Sequence, residues 1–310
     1  MNTGFWLAGG VRSTGWGRAC HAQGVSSARP LLVDNLSSHA SPITASWHAA
    51  ARVERKPHPP VTHSYAALAF FTDGQSRMEQ NGEWQLTAGD AILIPAGAAH
   101  RHLGDSRAAY WGLAFCVPCF AANGAASLLE PFEKVRDGGA AVVHVPAARH
   151  AFLEQLFREL AETAKRPMRD KGALAAVQES LLTLILNEVD SAAAPRALGA
   201  AGATPSVVVE SLRFIERNCL RPLTLQEVAR AVGRSPAYVT NALSRATGRS
   251  AVEWIVSARM AEARRLLLHS DEMVDVIAER VGYADSTHFI RMFRREHGAT
   301  PAAWRTQHGN

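Results

Sequence analysis

Two stretches near the end of the chain decide its fold: LTLQEVARAVGRSPAYVTNALSRATGRSAVEWI, from Leu223 to Ile255, and MVDVIAERVGYADSTHFIRMFRREHGATPAAWR, from Met273 to Arg305. Each reads as an apolar-periodic segment, a glycine, a polar start and a second apolar-periodic segment. Gly233 corresponds to Gly282, Gly248 to Gly298 and Trp254 to Trp304, at offsets of 49, 50 and 50 residues. The second copy therefore holds one extra residue after its turn. Two such helix-turn-helix patterns in series imply an all-α module that reads duplex DNA.

The local signals agree within each copy. Thr224 is expected to cap a helix running to Val232, with Glu227 three residues on as its box partner. Val228, Ala229 and Val232 point inward, and Gly233 permits the reversal. Ser235 caps the next helix and Pro236 occupies its first position, where a missing N–H costs nothing. Val239 and Leu243 pack inside, which leaves Ala237, Tyr238, Thr240, Asn241 and Ser244 outside. In the second copy Ile277 and Val281 pack, Gly282 turns, Asp285 caps, and Phe289 and Phe293 form the inner side. Ser286, Thr287, Ile290, Arg291, Arg294 and Arg295 fill the remaining surface. These outer residues are the candidate DNA contacts, because short polar groups and guanidiniums on one helix face suit base edges in a major groove. Between the copies, the pattern from Ala251 to His269 predicts one long helix holding the two readers apart.

This tail resembles the AraC/XylS family of bacterial transcription regulators over about Ser206 to Arg305. The linker-helix residues EWIVSARMAEARRLLLHS and the closing signature Val274, Gly282, Phe289, Phe293, Gly298, Pro301 and Trp304-Arg305 carry the resemblance. It implies base-contacting positions at Ala237, Thr240 and Asn241 in the first reader and at Ser286, Thr287, Ile290 and Arg291 in the second. Ala237 and Ile290 are smaller or more apolar than the family's usual choice. Arg259 matches the linker helix's usual arginine, in a structural or phosphate-contacting role.

Composition fits this reading. The chain has 310 residues, enough for two domains, with 47% hydrophobic and 20% charged residues. Its net charge is +5, and residues 206–310 hold fifteen arginines, no lysine and eleven carboxylates, so most of that excess lies in the tail. Arginine suits phosphate and guanine edges. It is also what a GC-rich coding bias would supply. The four cysteines are too few for a disulfide framework, and most read as reduced thiols. No apolar run reaches the length of a membrane span, and the first twenty residues lack a signal-peptide core, so a cytoplasmic location is expected.

The first half follows a different period. Residues 1–45 are rich in Gly, Ser and Ala and read as a loosely structured segment. Over 46–147, short apolar runs at Tyr65–Phe71, Glu83–Leu86, Ala91–Pro95 and Ala108–Phe115 alternate with the turn signals TDG, QNG and AGD, and a strand resumes near Ala141–Val145. Such spacing predicts an antiparallel sandwich or barrel, with Asn81-Gly82 as a two-residue hairpin turn. Residues 148–190 switch to helical spacing. Phe152, Leu156 and Leu160 mark a helix ending near Arg166-Pro167, and Leu174, Val177, Leu181, Leu184 and Ile185 form a stripe on another. The stripe suits either a homodimer seam or a cover for the barrel. Residues 191–205 read as a linker, after which Thr204 and Pro205 are expected to open the helical domain of 206–310.

Gly89 to His100 matches the second cupin motif, G-x5-P-x-G-x2-H, and resembles the small β-barrels found at the N-terminus of many AraC/XylS regulators. The resemblance implies a cupin-like barrel. The motif pair is incomplete: of the first motif's ligands only His63 is present, Tyr65 stands in place of its second histidine, and Gly104 replaces the second motif's asparagine. Tyr65, Phe70, Trp84, His100 and Trp111, with Phe115, are candidates to line a pocket for a small organic effector. His63, His100 and His102 offer three imidazoles to a transition metal, but the missing carboxylate argues against a bound metal, and neither cofactor nor catalytic residue is expected. Cys116-Val-Pro-Cys119 is open to three readings: packed thiols, a dithiol switch, or a metal pair.

The expected protein is thus not an enzyme but a multidomain regulator. Its N-terminal barrel answers a small organic effector, and its tandem helix-turn-helix domain binds double-stranded promoter DNA. The resemblance adds dimerisation and activation, hence contact with bacterial RNA polymerase. Two alternatives stand beside it: a metal-dependent cupin enzyme fused to a DNA reader, and a constitutive DNA-binding protein whose barrel only dimerises.

Overall fold

The computed structural model describes residues 30–33, 42–53, 58–104, 106–121, 126–163, 171–193 and 206–308. Most of the segment expected to be loosely structured, the Arg166-Pro167 helix end and the proposed cap Thr204-Pro205 lie outside these residues.

The chain order is β1 (Leu31–Leu32), β2 (Ile43–Val53), β3 (Val61–Thr62), β4 (Ala66–Glu79), β5 (Glu83–Thr87), β6 (Asp90–Ile94), β7 (Arg101–His102) and β8 (Ser106–Phe115). It continues with α1 (Val117–Ala121), α2 (Glu130–Arg136), β9 (Val142–His144), α3 (Ala147–Thr163) and α4 (Lys171–Ala192). Helices complete it: α5 (Val207–Asn218), α6 (Leu225–Ala231), α7 (Pro236–Thr247), α8 (Ala251–His269), α9 (Val274–Arg280), α10 (Ser286–His297) and α11 (Pro301–His308). No helix among the described residues is long and apolar enough to cross a membrane.

The first half is a sheet-rich domain. Seven strands run in the order β2-β8-β4-β6-β9, with β5 and β7 also paired to β4, and among the described residues the sheet stays open. The expected closed barrel is therefore corrected: β2 and β9 end the path without pairing each other. The TDG turn signal is corrected too. It does not end β4. The strand passes through a register shift between Phe71 and Asp73 and continues to Glu79. Gly74, at φ 77°, makes this bulge, since a Cβ there would sit 1.9 Å from the Arg107 carbonyl oxygen. The other two turns form at the predicted places, but the hairpin loop is corrected in length: Glu79 pairs with Glu83, so the loop is the three residues Gln80, Asn81 and Gly82, with Asn81 and Gly82 at positive φ, and Gly89 takes positive φ before β6. β2 begins at Ile43, inside the stretch expected to lack structure.

The two helices α3 and α4 close one face of the sheet. Phe157 of α3 stacks against Phe70 at 6.4 Å and Trp111 at 5.9 Å between ring centroids. Leu153, Leu156, Phe157 and Leu160 are the buried side of α3, whereas Phe152, expected inside, is exposed. On α4 the buried side is Ala175, Gln178, Leu182, Ile185, Leu186 and Val189. Of the predicted stripe only Ile185 is buried; Val177 and Leu184 are each 44% exposed, and Leu174 and Leu181 are half-buried. The cover for the sheet is thus one turn-face away from the stripe read in the sequence. α4 also continues to Ala192, into the expected linker.

The helical half holds two cores. Leu212, Ile215, Val228, Ala229, Val239, Leu243, Trp254 and Ile255 form one. Leu266, Leu267, Ile277, Val281, Phe289, Phe293 and Trp304 form the other. Helix α8 contributes to both. The sheet domain docks on the first core. Arg136 makes a bidentate pair with Glu216, at 2.6 and 2.5 Å, and Arg213 reaches Glu133 and Asp137. Thr62 donates to the Thr247 carbonyl at 2.8 Å. At Gly97, φ 79°, an added Cβ would meet Leu212 Cδ1 at 2.7 Å. The Pro95-Ala96-Gly97 turn of the cupin-like motif is therefore a docking surface for the helical half.

Candidate nucleic-acid interface

Each reading helix is started and stopped by its sequence. The Ser235 hydroxyl accepts from the Tyr238 N–H, and Pro236 follows it in the first turn. Asp285 accepts from both Thr287 N–H and His288 N–H at 3.0 Å. These two hydrogen bonds hold its carboxyl below the usual aspartate range. Upstream, Thr224 and Glu227 form the predicted capping box, and the Glu227 carboxyl is lowered by the Thr224 backbone and side-chain hydrogen bonds and by Arg221. Gly248 and Gly298 end α7 and α10 in the left-handed conformation. The helix opening this half is capped by Ser206.

The outer faces carry the candidate contacts. On α7, Ala237, Tyr238 and Asn241 are exposed, while Thr240 and Ser244 are half-buried. Arg234 lies 6.0 Å from the Tyr238 ring centroid, a cation over its face. On α10, Thr287, Arg291, Arg294 and Arg295 are exposed and Ser286 is half-buried. Arg295 pairs with its neighbour Glu296 at 2.9 Å; Arg291 and Arg294 make no ion pair among the described residues. Ile290 is half-buried against the second core, so packing occupies much of its side chain. The sequence reading missed Arg245 and His288, both exposed. Arg245 lies four residues beyond Asn241 and shares its face, a spacing that was there to be read.

Helix α8, nineteen residues long, spans about 28 Å at 1.5 Å per residue. Ser250 and Glu253 form a capping box at its start. Arg259 fixes the two readers to each other. It is 8% exposed, donates to the Cys219 carbonyl at 2.7 Å and the Arg221 carbonyl at 2.8 Å, and lies 5.0 Å from the Tyr283 ring centroid. Its burial and its two bonds to backbone carbonyls favour the structural role over a phosphate contact. The turn at Gly282 closes on the same spot, where a Cβ would meet the Arg221 carbonyl oxygen at 2.8 Å.

Residues 228–307 match the family model described as a helix-turn-helix domain. Over 108 residues the chain is 34% identical to the regulatory protein PocR of Salmonella typhimurium, a match covering 34% of this chain and 36% of that protein. It is 37% identical over 97 residues to the transcriptional activator NphR of a Rhodococcus species, covering 31% of this chain and 29% of that one. The last third of the chain therefore carries a helix-turn-helix domain similar to those of these regulators. A longer likeness, 25% over 242 residues, links 73% of this chain with 80% of the HTH-type transcriptional regulator YisR of Bacillus subtilis. The chain spans only about a third of PocR and of NphR.

The candidate effector residues do not gather in one place. Tyr65 stacks on His63 at 4.1 Å, and His63 lies 4.9 Å from His100, close to the seam with the helix-turn-helix domain. Burial holds His100 down to about 4, and burial, with His100 as a second cause, holds His63 well below its ordinary value, so both rings are neutral. Phe70 and Trp111 pair across β4 and β8 and are packed under α3. Trp84 sits at the β4–β5 hairpin and donates its indole N–H to the Gln80 carbonyl at 2.9 Å. The three imidazoles do not converge, since His102 turns to Ser76. Among the described residues no group of three His, Cys, Asp or Glu side chains is placed to hold a metal. Cys116 and Cys119, open in the sequence to packed thiols, a dithiol switch or a metal pair, are joined as a disulfide.

Proposed function

We propose that the chain is a sequence-specific DNA-binding transcriptional regulator. The observation that carries this is the pair of capped helices, α7 and α10, presenting exposed polar and basic faces and tied to one spacer helix. Ala237, Tyr238, Thr240, Asn241 and Ser244 with Ser286, Thr287, Ile290, Arg291, Arg294 and Arg295 are the proposed contact set, with Arg245 and His288 added to it. Duplex DNA presents successive major-groove segments about 34 Å apart on one face. A rigid spacer lets both helices enter neighbouring segments together.

The finer reading is an effector-responsive activator. NphR, similar over the helix-turn-helix domain, is named an activator, and on that reading this chain also meets RNA polymerase. The cupin-like motif supports a sensing role for the sheet domain. The stripe Leu174, Val177, Leu181 and Leu184, exposed at Val177 and Leu184 and half-buried at the other two, supports a homodimer, since its spacing of three and four is that of a two-helix seam. The test is selection of bound duplexes from a random library by the full-length protein. We expect a site with two short preferred blocks about one helical turn apart, and binding that weakens as salt rises. Recovery of no preferred sequence at low and moderate salt overturns the reading.

A further inference from the structure

DNA reading leaves one sequence feature unused. Cys116 and Cys119 bracket the first turn of α1, with Cα atoms 5.4 Å apart and side chains joined as a disulfide. They are 5% and 3% exposed. Their apolar partner is Ala261, on α8. The bond therefore lies in neither domain's interior but where the sheet domain rests on the helix between the two readers. A cleft of about 30 Å³ adjoins it, large enough for a water. Cys116, Tyr65 and Pro118 line one wall; Ser257, Ala261 and Arg264 line the other. Ser64 and Ser257 hydroxyls meet across the same seam at 3.2 Å.

We propose that Cys116–Cys119 is a reversible redox modification site at which a dithiol reductant loosens the docking of the sheet domain on α8. A thiolate of the reductant attacks one Sγ, and the electron pair of the S–S bond leaves on the other Sγ, which then takes a proton. The reductant's second thiol displaces the first protein sulfur and closes its own disulfide. Two electrons and two protons pass to the protein, and a disulfide oxidant reverses the exchange. Arg264, on the wall of the cleft, favours the thiolate formed on the way. Two thiols need a van der Waals separation and hence more room than a bonded pair. The small side chain of Ala261 and the cleft beside it are where that room is found, so α1 shifts against α8. Cys219 has no such part: it is fully buried, and burial pushes its thiol up to about 12.

The test uses the full-length protein in buffers of oxidised and reduced dithiothreitol. Alkylation followed by intact-mass measurement counts reactive thiols, and hydrogen exchange follows Ala251–His269. Reduction should raise the number of reactive thiols by two over the oxidised protein under native conditions and speed exchange of the α8 amides facing α1 by about tenfold, as expected of a locally loosened contact. Oxidised dithiothreitol should restore both. The Cys116→Ser/Cys119→Ser variant should exchange at one rate whatever the potential; if it does not fold, Cys116→Ala/Cys119→Ala takes its place. Two outcomes overturn the proposal: no increase in reactive thiols in excess reductant over the oxidised sample, or an increase of two with α8 exchange unchanged. Neither readout involves DNA, so failure here leaves the DNA-binding reading untouched.

Discussion

Two arginines of the helical half have the same chemistry and opposite surroundings. Arg291 is exposed on α10 with no ion pair among the described residues, free to place its fork on a guanine edge. Arg291→Ala should cost about 1–3 kcal/mol of DNA affinity and relax preference at a few adjacent base pairs. Binding measured across single-base variants of the selected site checks this; a uniform loss would make Arg291 a phosphate contact. Arg259 is buried and holds two carbonyls. Arg259→Ala leaves those acceptors unsatisfied and should cost about 1–3 kcal/mol of stability for that reason, read by denaturant unfolding, with base preference unchanged. Asp285 illustrates a pH consequence. Its folded value is lowered, so the stability of its cap is present above the ordinary aspartate range and is lost as pH falls through the lowered value. Asp285→Asn should keep much of the cap and remove that acid dependence.

At the scale of elements, the helices of the last third were almost fully legible in the sequence, and the sheet was not. The reason is locality. Thr224, Glu227, Ser235, Pro236 and Asp285 act on N–H groups within three residues, and Gly248 and Gly298 act on the turn they end, so the chain announces α6, α7 and α10 without tertiary context. Ser250→Ala should accordingly cost about 1 kcal/mol, the usual worth of a cap, measured on the thermal transition of the full chain. β4 depends on partners far away. Its TDG looks like a turn, yet Gly74 serves a bulge whose cause is the Arg107 carbonyl on β8. The candidate pocket residues are dispersed for the same reason: Phe70 packs under α3, while Trp111 also lines a cleft with Trp47, Glu154 and Arg158, an arrangement no period reveals. On α4 the sequence stripe and the buried face differ, and the exposed remainder is informative. Val177→Asp with Leu184→Asp touches solvent-facing apolar positions only. The protein should stay folded, and sedimentation at several concentrations should show a dimer turned to monomers. A monomeric parent would remove the seam from the reading.

At the scale of the whole molecule, the two halves are coupled by charge as much as by apolar contact. The Arg136 and Glu216 side chains are only 5% and 10% exposed, and Arg136 also pairs with Glu133, which in turn holds Arg213. Burial opposes the charge on Arg136, but the carboxylates of Glu216, Glu133 and Asp137 more than offset it, so its value is raised and the ion stays charged at any ordinary pH. A buried pair of this kind adds little over an apolar one, yet removing one partner costs about 3–5 kcal/mol because the other charge is stranded. The cost falls on the seam. Arg136→Ala strands Glu216 on α5, and the remedy open to the chain is to undock and return that carboxylate to water. The parent should therefore melt in one transition and Arg136→Ala in two, with the sheet domain and the helical domain separating by calorimetry. Arg136→Ala with Glu216→Ala strands no ion and should recover part of the joint transition. A variant that lowers a single transition without splitting it would show that the halves hold together by their apolar contacts, among them Ala96 in the first helical core and Ala261 against Cys116 and Cys119.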